Sequence, residues 1–464
     1  MSLVYFIAIP LLGSFLMPLY KNNLRLVSVI INVILLGFVF VFSSQIPIKE
    51  YISFDSALSI TFMLDIASLF FIGLFVSVML FFSIFNLRDD NNRGMFIVTN
   101  IFSVGTFGLV LSVDIFNIYI FFEIASISAY ILTSLNRDQK AYAGAIKYMI
   151  VGTIASIFLL LAIMIIYLNV GSLNLITISD SFHLLNSNLQ YIVLLSLFIG
   201  FGIKAEIFPL NFWVVDIYQA VPTKVASLFS AILSKAYLFV FFHIVYILKV
   251  DVTFLSFLMG IGILSFAVAE ISALRSKDSK RVFTYSTLGQ LGVLFLAFAS
   301  SDIVIISGAI FLILAHSIAK LMLFLSLDII EEQMHSTKVE IFAKFQSLFL
   351  ISIFAIGFLS LLGIPPFAGF IAKLTILKGL ASLGQYTMVG AILFISLIEA
   401  TYFFRLLSAN ITGKKTVEIK VSIFKKVMLS LLAIAIIYLG VFPQEVLGVC
   451  TDIAITLIQG VQNV

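Results

Sequence analysis

The stretch "FIGFGIKAEIFPLNFWVVDIY", residues 198–218, decides the fold because it interrupts an otherwise apolar helix. Lys204, Glu206 and Pro209 all fall between positions 204 and 209. An ammonium group near the centre of a bilayer costs at least about 2.5 kcal/mol, and a proline removes a helical hydrogen bond. These costs indicate a segment that has a function inside a membrane.

The composition is that of a polytopic membrane protein. The chain has 464 residues, of which 62% are hydrophobic and 11% charged, with a mean hydropathy of +1.19. Soluble domains carry about 25% charged residues. The opening "MSLVYFIAIPLLGSFLMPL" has no basic n-region, so we expect it to form the first span rather than a cleavable signal peptide.

Cofactor chemistry is not expected of this chain. The single Cys450 excludes an internal disulfide, a cysteine-ligated iron–sulfur cluster and a structural zinc site. Four scattered histidines without a Cys-x-x-Cys-His motif argue against haem. The net charge of +4 needs no nucleic-acid partner, because basic loops that orient a membrane protein explain it.

The hydropathy pattern predicts an all-α integral membrane protein with about fourteen transmembrane helices, since one span needs about 20 apolar residues. The predicted spans are 1–19, 25–44, 58–86, 94–113, 115–135, 145–168, 190–209, 223–248, 252–273, 281–299, 303–327, 347–372, 386–408 and 424–442. The apolar tail 443–464 is a candidate interfacial helix. Residues 1–464 then form one membrane domain: peripheral spans in 1–93, repeats in 94–248 and 252–408, and the last span with its tail in 424–464.

Basic residues set the expected orientation. The loops after odd-numbered spans hold most of the lysines and arginines, whereas those after even-numbered spans hold only Lys49, Lys249 and Lys378. By the positive-inside rule, the odd loops are cytoplasmic and both termini lie outside a cell membrane.

Ionisable residues inside spans are the candidates for function. Five look deep in the bilayer: Glu123, Lys204, Lys235, Lys320 and Lys373. Glu206, Glu270 and Arg405 lie near span ends, where we expect them to reach the interface. Asp65 and Glu399 are the other acids within spans.

Glu123 and Lys204 form the first candidate pair. An isolated buried carboxylate favours its neutral form, so it stays charged only beside a cation. Separation of the pair would then release or capture a proton. The alternative is a static salt bridge between two helices.

Three further basic residues suggest a proton relay. Lys235 has no obvious acid on its own helix face, and desolvation favours the neutral form of a buried lysine, so we expect it to carry a proton reversibly. His316 and Lys320, in "FLILAHSIAKLMLFL" (311–325), are spaced i and i+4 on one face. Lysine is a poor metal ligand and no third ligand is near, so we expect a relay here rather than a metal site.

A second broken helix lies in "SLLGIPPFAGFIAKLTILKG", residues 360–379, where Pro365 and Pro366 precede Lys373. Irregular backbone at membrane depth occurs only inside protein or beside water. Breaks at matching positions in two halves are typical of transporters with internal repeats. Spans 4–8 and 9–13 would be two inverted five-helix repeats with broken spans 7 and 12, and the breaks would build hydrated half-channels.

The chain resembles the antiporter-like subunits of respiratory complex I, Mrp cation/proton antiporters and membrane-bound hydrogenases. The resemblance covers about residues 55–410 and rests on these segments: "FMLDIASLFF", Glu123 in span 5, "AIKYMIVGT", "GFGIKAEIFPLNFW", "PTKVASLFSAILSKAYLF", "KDSKRVFTYSTLGQLG", "AHSIAKLMLF" and "GIPPFAGFIAK". It implies the fourteen-helix fold with inverted repeats and proton translocation along a central polar axis, coupled to neighbouring subunits.

The resemblance also implies residue roles. Glu123 and Lys204 would be the pair of spans 5 and 7, and Lys235 the bridging lysine of span 8. His316 and Lys320 would form the span 11 relay, with Lys373 ending the path. The stretch from Lys204 departs from the family pattern at several positions. Glu206 replaces the proline of Lys-Ala-Pro, and Val214, Val215, Ile217 and Tyr218 replace the Leu, Pro, Ala and His of Trp-Leu-Pro-Asp-Ala-His.

We therefore expect a proton-translocating subunit of a larger membrane complex, with other membrane subunits and, in a redox-driven complex, peripheral redox subunits as partners. A hydrogenase, related reductase or complex I type of assembly is favoured over an Mrp Na⁺/H⁺ antiporter. The two alternative hypotheses are a stand-alone solute transporter and a purely structural subunit. Glu399 would extend the path or meet a neighbouring subunit. Its pairing with Arg405 is disfavoured by their six-residue spacing.

Overall fold

The computed structural model describes residues 2–19, 24–52, 60–88 and 93–459, and these are almost entirely helical. In the first half of the chain the helices are α1 (Tyr5–Leu16), α2 (Leu24–Ser43), α3 (Ile66–Phe85), α4 (Arg93–Leu111), α5 (Ile115–Thr133), α6 (Gln139–Val170), α7 (Leu175–Phe182), α8 (Ser187–Lys204), α9 (Val214–Ala220), α10 (Thr223–Leu228) and α11 (Ser234–Ile247). A π turn, Phe229–Leu233, joins α10 to α11.

The second half continues in the same way. Its helices are α12 (Val252–Arg275), α13 (Ser279–Ala299), α14 (Ile303–Met334), α15 (Ile341–Lys344), α16 (Leu348–Leu362), α17 (Ala368–Ser382), α18 (Tyr386–Thr412), α19 (Ile423–Val441) and α20 (Gln444–Gln459). The strands are short: β1 (Ile48–Ile52) pairs antiparallel with β2 (Ile60–Leu64), and β3 (Phe345–Gln346) pairs parallel with β4 (Val417–Glu418).

Helix length and hydropathy confirm the all-α membrane fold. Within the described residues, 12 helices are long and apolar enough to cross a bilayer, and Tyr5–Leu19 and Leu348–Leu362 are shorter apolar helices. The total of about fourteen spans, which follows from span length, and the inverted relation of the repeats stay predictions.

Aspartate side chains begin several of these helices. Asp65, Asp114, Asp138, Asp278 and Asp302 each accept a hydrogen bond from a backbone N–H in the first turn of the helix that follows. Such caps satisfy N–H groups that have no partner inside the helix. These acids therefore have a structural role at helix ends.

Both predicted breaks are present. Helix α8 ends at Lys204, five residues before Pro209, and α9 begins at Val214. The chain turns at Glu206, whose φ of 64° lies in the left-handed region that non-glycine residues seldom adopt. The second break separates α16 from α17, and Gly363 supplies a φ of 79° there without steric cost.

The structure differs from the predictions in three places. The predicted span 58–86 is wrong at its start, because residues 60–64 form β2 and Asp65 caps α3 with a reciprocal Ser68 bond. Lys378, placed in a loop by the prediction, lies inside α17, which continues to Ser382. Helix α7 was not predicted, because it is only eight residues long.

The chain forms two compact units. The first unit is Met1–Ala205, Ile232–Asp251 and Thr456–Val464; the second unit is Glu206–Ala231 and Val252–Ile455. Helix pairs α4 with α5 and α6 with α8 pack within the first unit, and α12 with α13 and α14 with α17 pack within the second. The domain boundaries predicted from sequence, at 94–248 and 252–408, stay predictions.

Candidate functional site

Lys204 is a buried lysine of the first unit. It lies at the end of α8 with 1% of its surface exposed. Its Nζ donates a hydrogen bond to the Tyr130 hydroxyl at 2.8 Å. The same Nζ lies 4.8 Å from the Tyr130 ring centroid, 4.9 Å from that of Tyr148 and 5.6 Å from that of Phe122. Aromatic faces attract a cation at these distances, so the ammonium is held without a direct carboxylate contact.

Glu123, on α5, is held by a different group. Its Oε1 accepts a short hydrogen bond from the Ser156 hydroxyl, which also bonds the backbone oxygen of Gly152. Glu123 acts electrostatically on Lys204. In the described part of the chain, however, Lys204 bonds the Tyr130 hydroxyl rather than the carboxylate. The two residues thus lie in one neighbourhood as a separated pair, not as the contact ion pair expected from sequence.

Gly152 makes room for this arrangement. A Cβ at this position would lie 1.8 Å from the Tyr130 hydroxyl oxygen and 2.6 Å from Lys204 Nζ. Both distances are far inside van der Waals contact. The lysine and its tyrosine therefore require a residue without a side chain on α6.

Lys235 is completely buried in the first unit and follows the π turn directly. Two residues later, the Tyr237 hydroxyl lies 3.0 Å from the Ser126 hydroxyl on α5. π turns inside α-helices are rare and occur frequently at functional sites. The backbone irregularity before Lys235 therefore marks this helix as more than a packing element.

The second unit contains a closed ion pair. Lys373 Nζ, on α17, lies 2.8 Å from Glu399 Oε2, on α18, and both side chains are buried. Gln290, on α13, donates a second hydrogen bond to Glu399 at 2.8 Å. Lys373 also donates to the Leu362 carbonyl at the end of α16, at 3.4 Å. Among the described residues, Glu399 pairs with Lys373 and not with Arg405, a pairing that their six-residue spacing already disfavoured.

His316 and Lys320 lie one turn apart on α14, and both are buried. Lys320 Nζ donates to the backbone oxygen of Phe283 at 2.8 Å. A carbonyl oxygen accepts a hydrogen bond from a charged or a neutral lysine, so this contact does not fix the charge of Lys320. The structure thus places both relay residues in the interior of the second unit.

Two residues expected at the interface are buried instead, and that prediction is wrong. Glu206 is 2% exposed and Glu270 is fully buried. Arg405 is partly exposed and donates to the carbonyls of Leu274 and Ser276 at the end of α12, at 2.8 and 3.0 Å. Orphan carbonyls at a helix C-terminus attract a cation, so Arg405 acts as a cap.

Two of the residues that depart from the family pattern contact each other. The Tyr218 hydroxyl, on α9, donates to the Glu206 carboxylate at 3.2 Å, and both side chains are buried in the second unit. The tyrosine therefore satisfies the buried glutamate at the helix break.

Sequence reasoning missed the uncharged partners of these ions: Tyr130, Ser156 and Gln290. Tyrosine, serine and glutamine carry no charge that singles them out. One signal was available for Gln290, since it is a large amide within a predicted span. Among the described residues, no group of three or more His, Cys, Asp or Glu side chains is placed to hold a metal ion.

Comparisons with known proteins agree with this fold. NADH-quinone oxidoreductase subunit N of Desulforudis audaxviator is 25% identical over 388 residues, 78% of this chain and 77% of the relative. A chain of the archaeal membrane-bound sulfane sulfur reductase, a respiratory membrane complex, is 30% identical, covering 100% of this chain and 99% of its own, with a TM-score of 0.93. A chain of the Mrp complex from Dietzia sp. DQ12-45-1b is 19% identical, covering 99% and 98%, with a TM-score of 0.90.

A family model covers the segment that contains most of the residues described above. The model for the transmembrane part of NADH:quinone oxidoreductases and Mrp antiporters matches residues 112–399, from the end of α4 to Glu399. That is more than half of the chain, and the chain belongs to the NADH:quinone oxidoreductase/Mrp antiporter transmembrane family.

Proposed function

We propose that this chain is the proton-translocating, antiporter-like subunit of a redox-driven membrane complex. Among the described residues, six lysines in helices are buried, and the proposal rests on the four that the sequence places deep in the bilayer: Lys204, Lys235, Lys320 and Lys373. The other two are Lys224 and Lys280. Buried charges in a membrane are expensive and mark ion pathways by default. A series of four is more than helix packing requires.

The proposed mechanism uses two kinds of lysine: Lys204, which is separated from Glu123, and Lys373, which is in contact with Glu399. Lys204 gives a proton to Glu123 or takes one from it, while Tyr130 and Ser156 keep the two groups in place. Lys235, His316 and Lys320 pass protons along each unit's interior. Lys373 with Glu399 forms the last station, where loss of the lysine proton removes the charge that holds the glutamate.

A redox-driven complex is the favoured assembly because the sulfane sulfur reductase chain is the most similar in sequence of the solved structures compared above. The partners would be other membrane subunits together with peripheral redox subunits. We propose that this chain binds no cofactor itself, so the driving reaction belongs to those partners. An Mrp-type Na⁺/H⁺ antiporter is the second candidate, supported by the shared fold.

Extraction of the tagged complex from native membranes tests the assembly. Co-purification of iron-containing subunits, with proton uptake driven by their substrate, is the expected result. A metal-free set of membrane subunits that exchanges Na⁺ for H⁺ would support the Mrp type. Transport by the chain alone in liposomes would overturn the subunit proposal.

Variants test the role of the buried ions within the purified complex. We expect Lys235→Ala and Glu123→Gln to lower proton translocation by about tenfold or more, since positioned proton carriers contribute at least that much. An assembled complex that pumps normally with both changes would show that the chain is a structural subunit.

We also propose a plasma-membrane location with both termini outside and the odd-numbered loops in the cytoplasm. The only cysteine, Cys450, is buried, so introduced cysteines can be labelled selectively. An impermeant thiol reagent on whole cells should label Lys249→Cys and spare Lys414→Cys, both at exposed positions. The reverse pattern would invert the topology.

A further inference from the structure

Glu270 is a buried acid that the mechanism above does not use. It lies on α12 with no exposed surface, although its position near a predicted span end suggested contact with the interface. The Tyr402 hydroxyl, on α18, donates to Glu270 Oε2 at 2.7 Å. A carboxyl group is expensive to bury unless it is hydrogen-bonded or paired. The tyrosine satisfies one oxygen only.

The neighbouring helix, α13, leaves space for the other carboxyl oxygen, Oε1. A Cβ at Gly289, on α13, would lie 1.9 Å from Glu270 Oε1. Within the described residues, no group donates a hydrogen bond to Oε1. The carboxyl therefore presents an acceptor atom that no described residue bonds, in the space that Gly289 leaves open.

Charged groups surround this pocket within the second unit. Glu399, Lys373 and Lys320 all act electrostatically on Glu270. Glu399 and Tyr402 lie three residues apart on α18, so they share one helix face. Lys373 is already paired with Glu399, whereas Lys320 is bonded to a backbone carbonyl. Of the two lysines, Lys320 is therefore the one that remains available to Glu270.

We propose that Glu270 is a further proton-exchanging residue of the second unit and the counterpart of Lys320. In the exchange, an N–H bond of the Lys320 ammonium breaks and an O–H bond forms on the Glu270 carboxylate. The lysine becomes an amine, the glutamate becomes an acid, and the total charge is unchanged. Tyr402 is a positioning residue that holds Oε2, and Gly289 leaves the space for Oε1. The inference rests on the proposed proton-translocating function.

The arrangement matches the one around Lys204. There, too, a tyrosine hydroxyl bonds the ionisable group and a glycine on the adjacent helix makes room for it. The sign of the charge is the opposite, since the held group is a lysine in the first unit and a glutamate in the second. Each unit thus contains one separated lysine–glutamate couple: Lys204 with Glu123, and Lys320 with Glu270.

The test compares Glu270→Gln with wild type in the intact complex. The amide keeps the size of the side chain and can still accept the Tyr402 bond, so we expect normal assembly and thermal stability. Proton translocation should fall by about tenfold. The matched control is Glu418→Gln at an exposed position on β4, which should pump like wild type.

Two further measurements separate proton exchange from a packing role. Infrared difference spectra recorded during turnover should contain a carboxylic acid band that disappears in Glu270→Gln. Gly289→Ala should also reduce pumping severalfold, whereas Gly260→Ala on the same helix pair, where a Cβ meets nothing within 4 Å, should not.

The outcomes distinguish this inference from the proposed function. Normal pumping by Glu270→Gln, with pumping lost in Glu123→Gln, would overturn the role of Glu270 and leave proton translocation intact. Normal pumping by both variants would overturn proton translocation by this chain. Loss of pumping in Glu270→Gln with an unchanged carboxylic acid band would assign Glu270 to structure alone.

Discussion

Lys204 of the first unit and Lys373 of the second unit are held in contrasting ways. Lys204 contacts a tyrosine hydroxyl and three aromatic rings, and Glu123 is bonded separately by Ser156. Lys373 and Glu399 are joined directly at 2.8 Å. The Lys204 site keeps opposite charges apart, and the Lys373 site keeps them in contact.

The difference shows that a buried charge can be kept in two physically distinct ways. A contact ion pair is stable only while both partners are charged, because loss of one leaves the other uncompensated. Aromatic rings and hydroxyls provide a weaker field that remains when the proton leaves. The Lys204 site is thus suited to a change in the charge of its lysine. The Lys373–Glu399 pair is suited to respond when one of its two members changes charge.

The largest expected effect is that of Lys373→Met. Among the residues that the structure describes, it leaves the Gln290 amide as the one hydrogen-bond partner of buried Glu399, and removal of one member of a buried pair typically costs about 3–5 kcal/mol. We expect a clear fall in thermal stability together with loss of pumping, both measured on the purified complex. The double variant Lys373→Met with Glu399→Gln should recover most of the stability and none of the pumping. Wild-type stability of the single variant would contradict the contact pair.

Lys204→Met should affect activity more than stability. The methionine side chain can pack against the same aromatic rings, and Glu123 keeps its bond from Ser156. We expect pumping to fall by about tenfold or more while the melting temperature changes little. A stability loss as large as that of Lys373→Met would show that Lys204, like Lys373, is needed to compensate a buried carboxylate.

Gly152→Ala tests the close approach in the first unit. The added methyl group must displace the Tyr130 hydroxyl or the Lys204 ammonium. Overpacking of this kind costs about 1–3 kcal/mol, and pumping should fall severalfold. Gly37→Ala is the matched control, because a Cβ there meets nothing within 4 Å. It should be neutral or slightly stabilising in a thermal melt, since alanine favours helix by up to about 1 kcal/mol.

The smallest effect is expected for Tyr130→Phe. Only the hydroxyl acceptor is lost, and a hydrogen bond to a charged group is worth about 1.5–3 kcal/mol. The ring contacts with Lys204 remain and offset most of this loss, so we expect a two- to fivefold decrease in pumping rate with normal assembly. A loss equal to that of Lys204→Met would mean that the hydroxyl itself carries protons.

Much of the fold was predictable because long apolar runs have few alternatives in a membrane. The two helix breaks were also readable, since Pro209, Pro365 and Pro366 cannot continue a helical hydrogen-bond ladder. The start of α3 was not predictable from hydropathy alone. Strand β2 is as apolar as the helix that follows it, and only the Asp65 cap separates the two.

The candidate site was only partly predictable. Charged residues in apolar helices stand out, so Lys204, Lys320 and Lys373 were identified by charge alone. Their partners depend on packing between helices that are far apart in sequence, such as Lys373 with Glu399. Glu270 was misjudged because depth was read from position along a span, whereas its burial comes from the close packing of α12 against α13.

Arg405 has a mechanical consequence for the second unit. Its two hydrogen bonds tie α18 to the carbonyl end of α12. One helical turn is about 5.4 Å, so a slide of α18 by even half a turn would break both bonds. Glu399 and Tyr402 lie on the same helix, so the Arg405 hydrogen bonds also fix their position along α12. Under the proposed function, the charges of the second unit therefore respond by moving protons and side chains while α12 and α18 keep their register, not by a piston-like stroke of α18 against α12.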